Sequence, residues 1–475
     1  MRFARLRCCL MALTLATAAG VCPADPTPEW HHYKLIDLGT FGGPDSSLFF
    51  IQHILTEKGL VAGVAETDIP DPFPANCPSP NCKITSGFVW QNGVRNRLPG
   101  LVKGALTEAQ WVNERGIVGG DSRDGTTDQD AAPVTKATIW RDGHILSLGT
   151  LGGPSSVALA ISNNELVTGL SQTAGDETHA FLWCGKKMQD LGTLGGPVSF
   201  GIDVNDRAQV VGFSYINSET NPATGIPTQH AFFWDKGQMT DITLGGTLGG
   251  AGLINHRGQA VGDSNLPGDA EDHAFLWSDH AVHDLGTLGG TLSLPTGLTE
   301  QGHISGVASS AGDQFIHAVV WKDGSIHDLG TVAGDVCSWA WGLNSRDQVV
   351  GISDPYCDGT LARAFLWDQG KMVDLNTLVP PGAALHLVYA EAINEAGIIA
   401  GIGVPPGVSP KDVEQLGHAY VLIPDRDAGS GIIESNLSSD PRLASPNLSP
   451  NFKTATAEMI RNLRAHAARR VTAHQ

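Results

Sequence analysis

The feature that most constrains the fold of this chain is a phrase that recurs from one end to the other. It is plainest at His179-Ala-Phe-Leu-Trp183, which a short polar turn separates from Asp190-Leu-Gly-Thr-Leu-Gly-Gly196. A period of about 45 residues is typical of repeat folds such as β-propellers. Tryptophan ends seven copies, at Trp90, Trp140, Trp183, Trp234, Trp277, Trp321 and Trp367, and His418-Ala-Tyr-Val-Leu422 is an eighth.

A second marker, a turn followed by apolar residues and a glycine, lies about 20 residues before each copy. Asn, Ser or Thr opens the turn, because these side chains hydrogen-bond the backbone just ahead. Strand-forming residues flank it, as in Gln209-Val-Val-Gly-Phe213, so each unit is predicted to begin with a β-hairpin. The opening residue and the glycine seven positions later form eight pairs: Thr56 with Gly63, Asn113 with Gly120, Ser162 with Gly169, Asn205 with Gly212, Asn255 with Gly262, Thr299 with Gly306, Asn344 with Gly351 and Asn394 with Gly401.

The phrase supplies the other two strands of each unit. Phe181 and Trp183 share a face of the third strand by the two-residue period, and the run into Asp-Leu-Gly is the fourth. Four short antiparallel strands per unit predict an all-β, eight-bladed β-propeller over residues 33–423, with seven blades as the alternative. Small residues four positions before each turn, such as Ala109, suit an inner strand that crowds a central axis. The last unit stops at Leu422, so the N-terminal strand 33–39 is predicted to close its blade, which favours a ring over an open solenoid.

Several copies of the phrase resemble the HAF-repeat family of probable extracellular bacterial proteins. The resemblance is carried by His179-Ala-Phe-Leu-Trp183, His230-Ala-Phe-Phe-Trp234 and His273-Ala-Phe-Leu-Trp277, each leading to an Asp-Leu-Gly-Thr-like run. It covers roughly residues 33–423 and implies export and a repeat fold, but no settled activity. The first two units depart from the pattern, because Ser86 and Lys136 stand where the others have His.

The two ends of the chain differ from the repeats. Arg2, Arg5 and Arg7 followed by an apolar run predict a signal peptide over residues 1–24, and hence a secreted or periplasmic protein. Residues 425–452 are predicted to be a flexible linker, and 453–475 a basic amphipathic helical tail. No later stretch is long and apolar enough to span a bilayer. A net charge of −19 argues against nucleic acid as a partner, and a monomer is expected.

Five cysteines follow the predicted cleavage site, and an exported protein can keep disulfides. Cys77 and Cys82 are close within a Pro-rich loop. Cys337 follows a connector and Cys357 lies in a loop of the same unit, so the fold would bring them to one face. Two disulfides are therefore expected, which leaves Cys184 single.

The recurring histidine is the most conspicuous candidate for a functional residue. A ring of imidazoles could bind metal, but Arg363 takes the same place in another copy, and equivalent positions on different blades tend to lie far apart. A structural role is preferred, with a ring nitrogen hydrogen-bonded to a neighbouring strand or turn. The residues expected to build the repeat are His179, Trp183, His230, Trp234, His273, Trp277, His317 and Trp321.

The variable segments between strands two and three are better candidates for binding, because variable loops on a rigid scaffold often carry function. They are residues 64–85, 121–135, 213–229, 263–272, 352–362 and 402–417, all predicted on one face. The tentative ligand-binding residues are Asp121, Asp124, Asp128, Asp176, Asp263 and Asp354. The run Asp124-Gly-Thr-Thr-Asp128-Gln-Asp130 has calcium-loop chemistry without the full motif, so calcium is possible but no cofactor is expected.

No linear catalytic motif is present, neither Gly-x-Ser-x-Gly nor His-Glu-x-x-His. The sequence favours an exported, non-catalytic scaffold that binds a protein or glycan through its variable-loop face. One alternative is a propeller hydrolase or lyase with carboxylates at the channel mouth, for which His53, Glu108, Asp203 and Glu391 on the inner strands are the candidates. A structural envelope protein is the other alternative.

Overall fold

The computed structural model describes residues 31–48, 53–77, 79–222 and 224–425. The predicted signal peptide, almost all of the linker and the basic tail lie outside these residues. Within them strands are the predominant regular structure and helix is scarce, so the all-β prediction is confirmed. The helical elements are the 3-10 helices Pro74–Asn76, Ala311–Asp313, Leu375–Thr377 and Pro410–Asp412 and one short α-helix, α1 (Val413–Leu416).

The strands form four-stranded antiparallel units, as predicted. The first four units are, in order, β2 (Gly42–Ser47), β3 (Val61–Pro70), β4 (Lys83–Gln91) and β5 (Val94–Arg97); β6 (Thr107–Val112), β7 (Val118–Thr127), β8 (Pro133–Arg141) and β9 (His144–Ser147); β10 (Gly152–Ile161), β11 (Leu166–Thr173), β12 (Thr178–Cys184) and β13 (Lys187–Asp190); and β14 (Ser199–Val204), β15 (Val210–Thr220), β16 (Pro227–Asp235) and β17 (Gln238–Asp241).

The later units follow the same order. They are β18 (Gly249–Ile254), β19 (Ala260–Asn265), β20 (Asp272–Ser278) and β21 (Ala281–Asp284); β22 (Gly289–Leu298), β23 (Ile304–Ser310), β24 (Ile316–Lys322) and β25 (Ser325–Asp328); β26 (Cys337–Leu343), β27 (Val349–Asp354), β28 (Arg363–Asp368) and β29 (Lys371–Asp374); and β30 (His386–Ile393), β31 (Ile399–Val404) and β32 (His418–Asp425), with β1 (His32–Asp37) beside β32. A single parallel pair, Asp272 with Leu292, joins two of the units into one eight-stranded sheet.

The N-terminal strand lies beside the last repeat. β1 pairs antiparallel with β32 along its whole length, with Leu35 opposite Leu422. The two strands are far apart in sequence, so this pairing brings the first and last described segments of the chain together. The outer edge of β32 is covered by it.

In every unit but the first, the first strand has a one-residue bulge among its described residues, and this bulge explains the recurring glycine. In β14 the register with β15 shifts between Gly201 and Asp203, and the Phe200 carbonyl turns towards Gly212. A Cβ on Gly212 would lie 1.8 Å from that oxygen, so any larger residue would clash. The same close approach occurs at Gly120, Gly169, Gly262, Gly306, Gly351 and Gly401, where a Cβ would lie 1.9 to 2.1 Å from a carbonyl oxygen.

Small residues before each turn are needed for a different reason from the one predicted. A Cβ on Gly201 would lie 2.1 Å from the Thr168 hydroxyl of the preceding unit. Ala109 likewise packs against Gly87 of the unit before it. The neighbouring sheet, rather than the central axis, therefore limits the size of these side chains.

Phe and Trp of the phrase form the core between units. Phe181 and Phe232 are fully buried, and Trp183 and Trp234 are 4% exposed. These side chains belong to one cluster that runs through several consecutive units. No helix among the described residues is long and apolar enough to cross a membrane.

Candidate functional site

Each histidine of the phrase is paired with the aspartate of the same phrase. Nδ1 of His179 lies 2.9 Å from Asp190, and Nδ1 of His230 lies 2.5 Å from Asp241. The contact ties the third strand of a unit to its fourth. The remaining pairs are His273 with Asp284, His317 with Asp328 and His418 with Asp37.

Two of the three units without the histidine keep a polar contact between their third and fourth strands. Arg97 Nε donates to the Ser86 hydroxyl at 2.7 Å, so the basic residue has moved to the fourth strand. Arg363 lies 3.7 Å from Asp374. Among the described residues, no group of three or more His, Cys, Asp or Glu side chains is placed to hold a metal ion. The histidines therefore contact strands of their own sheet and do not converge on a common point.

A serine or threonine on the first strand links six of the units to an adjacent unit. The Ser199 hydroxyl accepts the Ala180 N–H at 2.8 Å and donates to the Gly192 carbonyl at 2.6 Å. Ser199 thus joins Ala180, in the middle of one phrase, to Gly192, near the end of the same phrase. Sequence reasoning missed this residue, although a serine recurs shortly after Asp-Leu-Gly in several units. The other ties of an N–H to such a hydroxyl are Gly87 to Thr107, Ala137 to Ser156, Ala274 to Ser293, Ala318 to Ser338 and Ala419 to Ser46.

The turn asparagines form a second set of links. Asn113 Oδ1 accepts the N–H groups of Arg115 and Ile117, which closes its own turn. Its Nδ2 donates to the Ser162 carbonyl of the next turn at 2.9 Å. Corresponding Nδ2 donations run from Asn205 to Asn255, from Asn255 to Thr299, from Asn344 to Asn394 and from Asn394 to Thr56.

Inner strands and turns surround a cavity of about 320 Å³. Three of the four candidates for a channel-mouth site, His53, Asp203 and Glu391, line it, and Glu108 does not. Both oxygens of Asp203 accept backbone N–H groups, from Val204 at 2.7 Å and from Ile254 of the next unit at 2.8 Å. Burial raises the pKa of Asp203 to about 7, although these hydrogen bonds favour its ionised form. Asp203 is thus a clamp between two units.

His53 faces the same cavity. Its ring lies 4.6 Å from the Trp111 ring. The surrounding protein lowers the pKa of His53 below its usual value, although the side chain stays exposed to solvent within the cavity, so the imidazole is neutral near pH 7.

An acidic ring lies at the turn end of this cavity, and sequence reasoning missed it. The residue after each turn opener often carries a carboxylate that accepts an N–H from the neighbouring turn, as Glu114 does from Glu57 at 3.0 Å. His256 bridges two members, with Nδ1 2.8 Å from Glu300 and Nε2 2.9 Å from Asp206. Burial opposes the charged imidazole, but the two carboxylates raise the pKa of His256 above its usual value. The members are Glu57, Glu114, Asp206, Glu300 and Glu395.

Two of the tentative ligand-binding aspartates are buried, which corrects the prediction that they lie on open loops. Asp121 is a fully buried residue of β7, opposite Glu108 of β6, and accepts a hydrogen bond from Gln110 at 3.1 Å. Burial, and then the charge of Glu108, raises the pKa of Asp121 well above its ordinary value. Asp354 is also fully buried, and its oxygens accept the Tyr356 and Gly359 N–H groups, so it shapes its own loop.

The other four aspartates reach the surface to different degrees. Asp176 is exposed, while Asp124, Asp128 and Asp263 are partly buried. Asp124 accepts hydrogen bonds from the N–H and hydroxyl of Thr126, and Asp128 accepts the N–H groups of Asp130 and Ala132. These carboxylates cap the backbone of their own hairpin.

Two of the predicted loops, 121–135 and 213–229, are largely strand, and a third, 64–85, begins and ends in strand. Strands two and three of these units continue beyond the first strand as two-stranded hairpins, with Pro70 opposite Lys83, Thr127 opposite Pro133 and Thr220 opposite Pro227. Sequence analysis did not predict this pairing. The segments are polar and lack the alternation of apolar and polar residues by which a strand is recognised.

Both predicted disulfides are confirmed. Cys77 is bonded to Cys82, with Cα atoms 5.3 Å apart, and Cys337 to Cys357, with Cα atoms 5.5 Å apart. Cys184 is free and exposed. The second bond ties the start of β26 to the variable loop after β27.

Comparison with solved structures finds low similarity throughout. The β-propeller domain of the Trilobed protease from Pyrococcus furiosus is 12% identical, over 69% of this chain and 98% of that one, with a TM-score of 0.42. An acylaminoacyl peptidase from Pyrococcus horikoshii is 11% identical, over 79% of this chain and 58% of that one, with a TM-score of 0.37. Dipeptidyl peptidase 4 from Porphyromonas gingivalis is 8% identical, over 82% and 60%, with a TM-score of 0.43.

No protein-family model matches the sequence, and no curated protein matches it. The chain spans 58% and 60% of the length of the two peptidases. Its own architecture defines it as an all-β protein of four-stranded antiparallel sheets, the unit from which β-propellers are built.

Proposed function

We propose that this chain is an exported, eight-bladed β-propeller of the HAF-repeat kind that binds a protein or glycan partner through its variable-loop face. The blades are the four-stranded units, and β1 completes the last of them. The propeller acts as a scaffold without catalysis, and calcium is not required.

Contacts between the first and last units support a closed ring. The links that join consecutive units recur there, as Asn394 Nδ2 donates to the Thr56 carbonyl at 3.0 Å and Ala419 N–H to the Ser46 hydroxyl at 2.9 Å. β1 adds a backbone ladder to β32. A seven-bladed ring would need one four-stranded unit to stand outside this series of links.

The single observation that carries the binding proposal is that strand pairing, an ion pair and a disulfide hold the bases of the variable segments in place. Three of them project as hairpins, and a buried ion pair of 2.7 Å between Arg123 and Asp71 joins the segments of the first two units. The Cys337–Cys357 bond fixes a fourth segment. A preordered surface loses less conformational entropy on binding, which suits recognition.

The hydrolase alternative has less support from the cavity. Asp203 uses both oxygens to hold backbone N–H groups, and its loss would open the contact between two units. Glu108 lies elsewhere. Of the three carboxylates named for the alternative, only Asp203 and Glu391 line the cavity, and Asp203 is already held by two backbone N–H groups.

The experiment is a binding screen of the purified chain against protein and glycan arrays. A variant with the β7–β8 hairpin cut back to a two-residue turn between Arg123 and Thr135 tests the variable-loop face. As a control, the two-residue turn Asp323-Gly324 between β24 and β25, at the opposite end of its unit, is replaced by Asn-Gly. Binding that is lost only with the first supports the proposal. Turnover of an array substrate favours the hydrolase, and no binding to either array favours the envelope protein.

A further inference from the structure

A small pocket on the variable-loop side lies between the first two units and collects buried carboxylates. Its volume is about 10 Å³, which is room for about one water-sized group. Asp45, Glu66 and Glu108 line it, with exposures of 5%, 1% and 3%. They come from β2, β3 and β6, so only the packing of two units brings them together.

The lining of the pocket also contains a buried hydroxyl that makes no hydrogen bond to the described residues. Thr85 lines the pocket, is 5% exposed, and its Oγ1 has no hydrogen-bond partner among the described residues. A buried polar group without a partner is costly, at about 1–3 kcal/mol. A group of this kind is normally satisfied by a water, an ion or a ligand.

The wall of the pocket is negative and narrow. Among the described residues that line it there is no Lys, Arg or His, while Val64, Ala65 and Pro80 supply apolar surface. Glu66 is held in place by Asn81 Nδ2 at 3.1 Å and by the Ser79 hydroxyl. Pro80 is exposed and marks the outer end.

We propose that this pocket receives the ammonium group of a lysine side chain presented by a protein partner. An ammonium is a compact cation with three donors and no acceptor, and the lining offers carboxylates and a free hydroxyl to accept them. The inference rests on the proposed binding function and specifies the chemistry of its partner.

Geometry favours lysine over the other cations. A metal ion needs ligands converging at about 2.0–2.6 Å, and the described residues hold no such group, whereas hydrogen bonds to an ammonium span about 2.7–3.2 Å. A guanidinium is planar and larger than the space. The amine of an amino sugar is attached directly to a bulky ring, whereas lysine carries its charge on a slender four-carbon stem that can pass the apolar wall.

The test is calorimetric titration of the full chain with n-butylammonium chloride. Saturable binding is expected for n-butylammonium and for Nα-acetyl-lysine methylamide. It is not expected for n-butanol, which lacks the charge, or for tetramethylammonium, which lacks N–H donors. Glu66→Gln should weaken binding at least tenfold and Thr85→Val several-fold, while Asp279→Asn in an exposed turn should leave it unchanged.

Thr85→Val keeps the shape of the side chain and removes a hydroxyl without a partner, so it should fold even if Glu66→Gln does not. Equal binding by wild type and Thr85→Val, or no saturable binding, overturns the proposal. Glucosamine binding more tightly than n-butylammonium would identify an amino-sugar site instead, and stoichiometric calcium binding that blocks the amine would identify a metal site. A negative titration together with a positive array leaves the loop-face function standing, because the titration needs no partner.

Discussion

At the scale of single residues, the recurring glycine is required by the space around it rather than by its backbone angles. Gly212 has no positive φ, but the Phe200 carbonyl occupies the place of its Cβ. The bulge in the inner strand creates this approach, and it repeats from unit to unit. Sequence reasoning found the glycine and its register but had no means to see the bulge, because a bulge is set by pairing with another strand.

Gly212→Ala should lower the free energy of unfolding by roughly 2–3 kcal/mol, since overpacking forces strands apart. Gly252→Ala is the matched control in an inner strand, because a Cβ there would meet nothing within 4 Å. Its effect should stay within about 0.5 kcal/mol. Denaturant unfolding of both variants measures the difference, and equal stabilities would contradict the proposed cause.

The histidine–aspartate pair predicts a pH dependence. Burial alone would raise the pKa of Asp241, but hydrogen bonds from His230 and Thr243 outweigh it and hold the pKa below its usual value. Because the pKa of Asp241 is lower in the folded protein than in the unfolded chain, this stabilisation is complete at pH values above the unfolded-state pKa of about 3.9. It is lost as the pH falls through the folded-state pKa.

Asp241→Asn should therefore be less stable than wild type near pH 7, with a gap that shrinks as the pH falls below about 4. Thermal unfolding measured between neutral pH and about pH 3 tests this. Asp323→Asn, in an exposed hairpin turn, should show no such convergence. If the difference in stability between wild type and Asp241→Asn does not change with pH, the charge of the aspartate makes no contribution.

At the scale of elements, the hairpins and the disulfide-tied loop carry the variable surface. The cysteine spacing and the strand order together predicted the Cys337–Cys357 bond. The fate of the acidic residues could not be predicted, because Asp121 and Asp354 differ from exposed aspartates only in what packs against them. Composition alone made both segments resemble solvated loops.

The two disulfides should differ in their contribution to stability. Cys337 and Cys357 are 20 residues apart and Cys77 and Cys82 only 5. Loop-closure entropy predicts losses of about 3 kcal/mol for Cys337→Ala/Cys357→Ala and about 2 kcal/mol for Cys77→Ala/Cys82→Ala. Denaturant unfolding without reductant compares the two double variants. The reverse order would indicate that strain or unfolded-state structure outweighs loop length.

At the scale of the whole molecule, β1 is the element on which closure depends. Ile36→Pro should break its ladder with Val421 and leave the last unit open, because proline removes an N–H that points towards β32. His283→Pro, at a hydrogen-bonded position of the fourth strand β21 in an internal unit, is the matched control, since the chain itself still connects that unit to both neighbours.

Ile36→Pro is expected to broaden the unfolding transition and to speed proteolysis of the first and last units. His283→Pro should give local cleavage only. Mass spectrometry of limited digests distinguishes the two patterns. Similar digests for both variants would contradict a ring held shut by β1.

The amino-acid sequence by itself determined the repeat, its four strands and its turns, because strand alternation and turn chemistry depend on residues within a few positions of one another. Only the tertiary structure decided which residues join the units. Ser199 and Asn113 act on turns and strands in neighbouring units, and the carboxylate pocket exists only where β2, β3 and β6 meet. Such contacts depend on how closely one unit packs against the next, and the residues within a single copy of the phrase do not determine that packing.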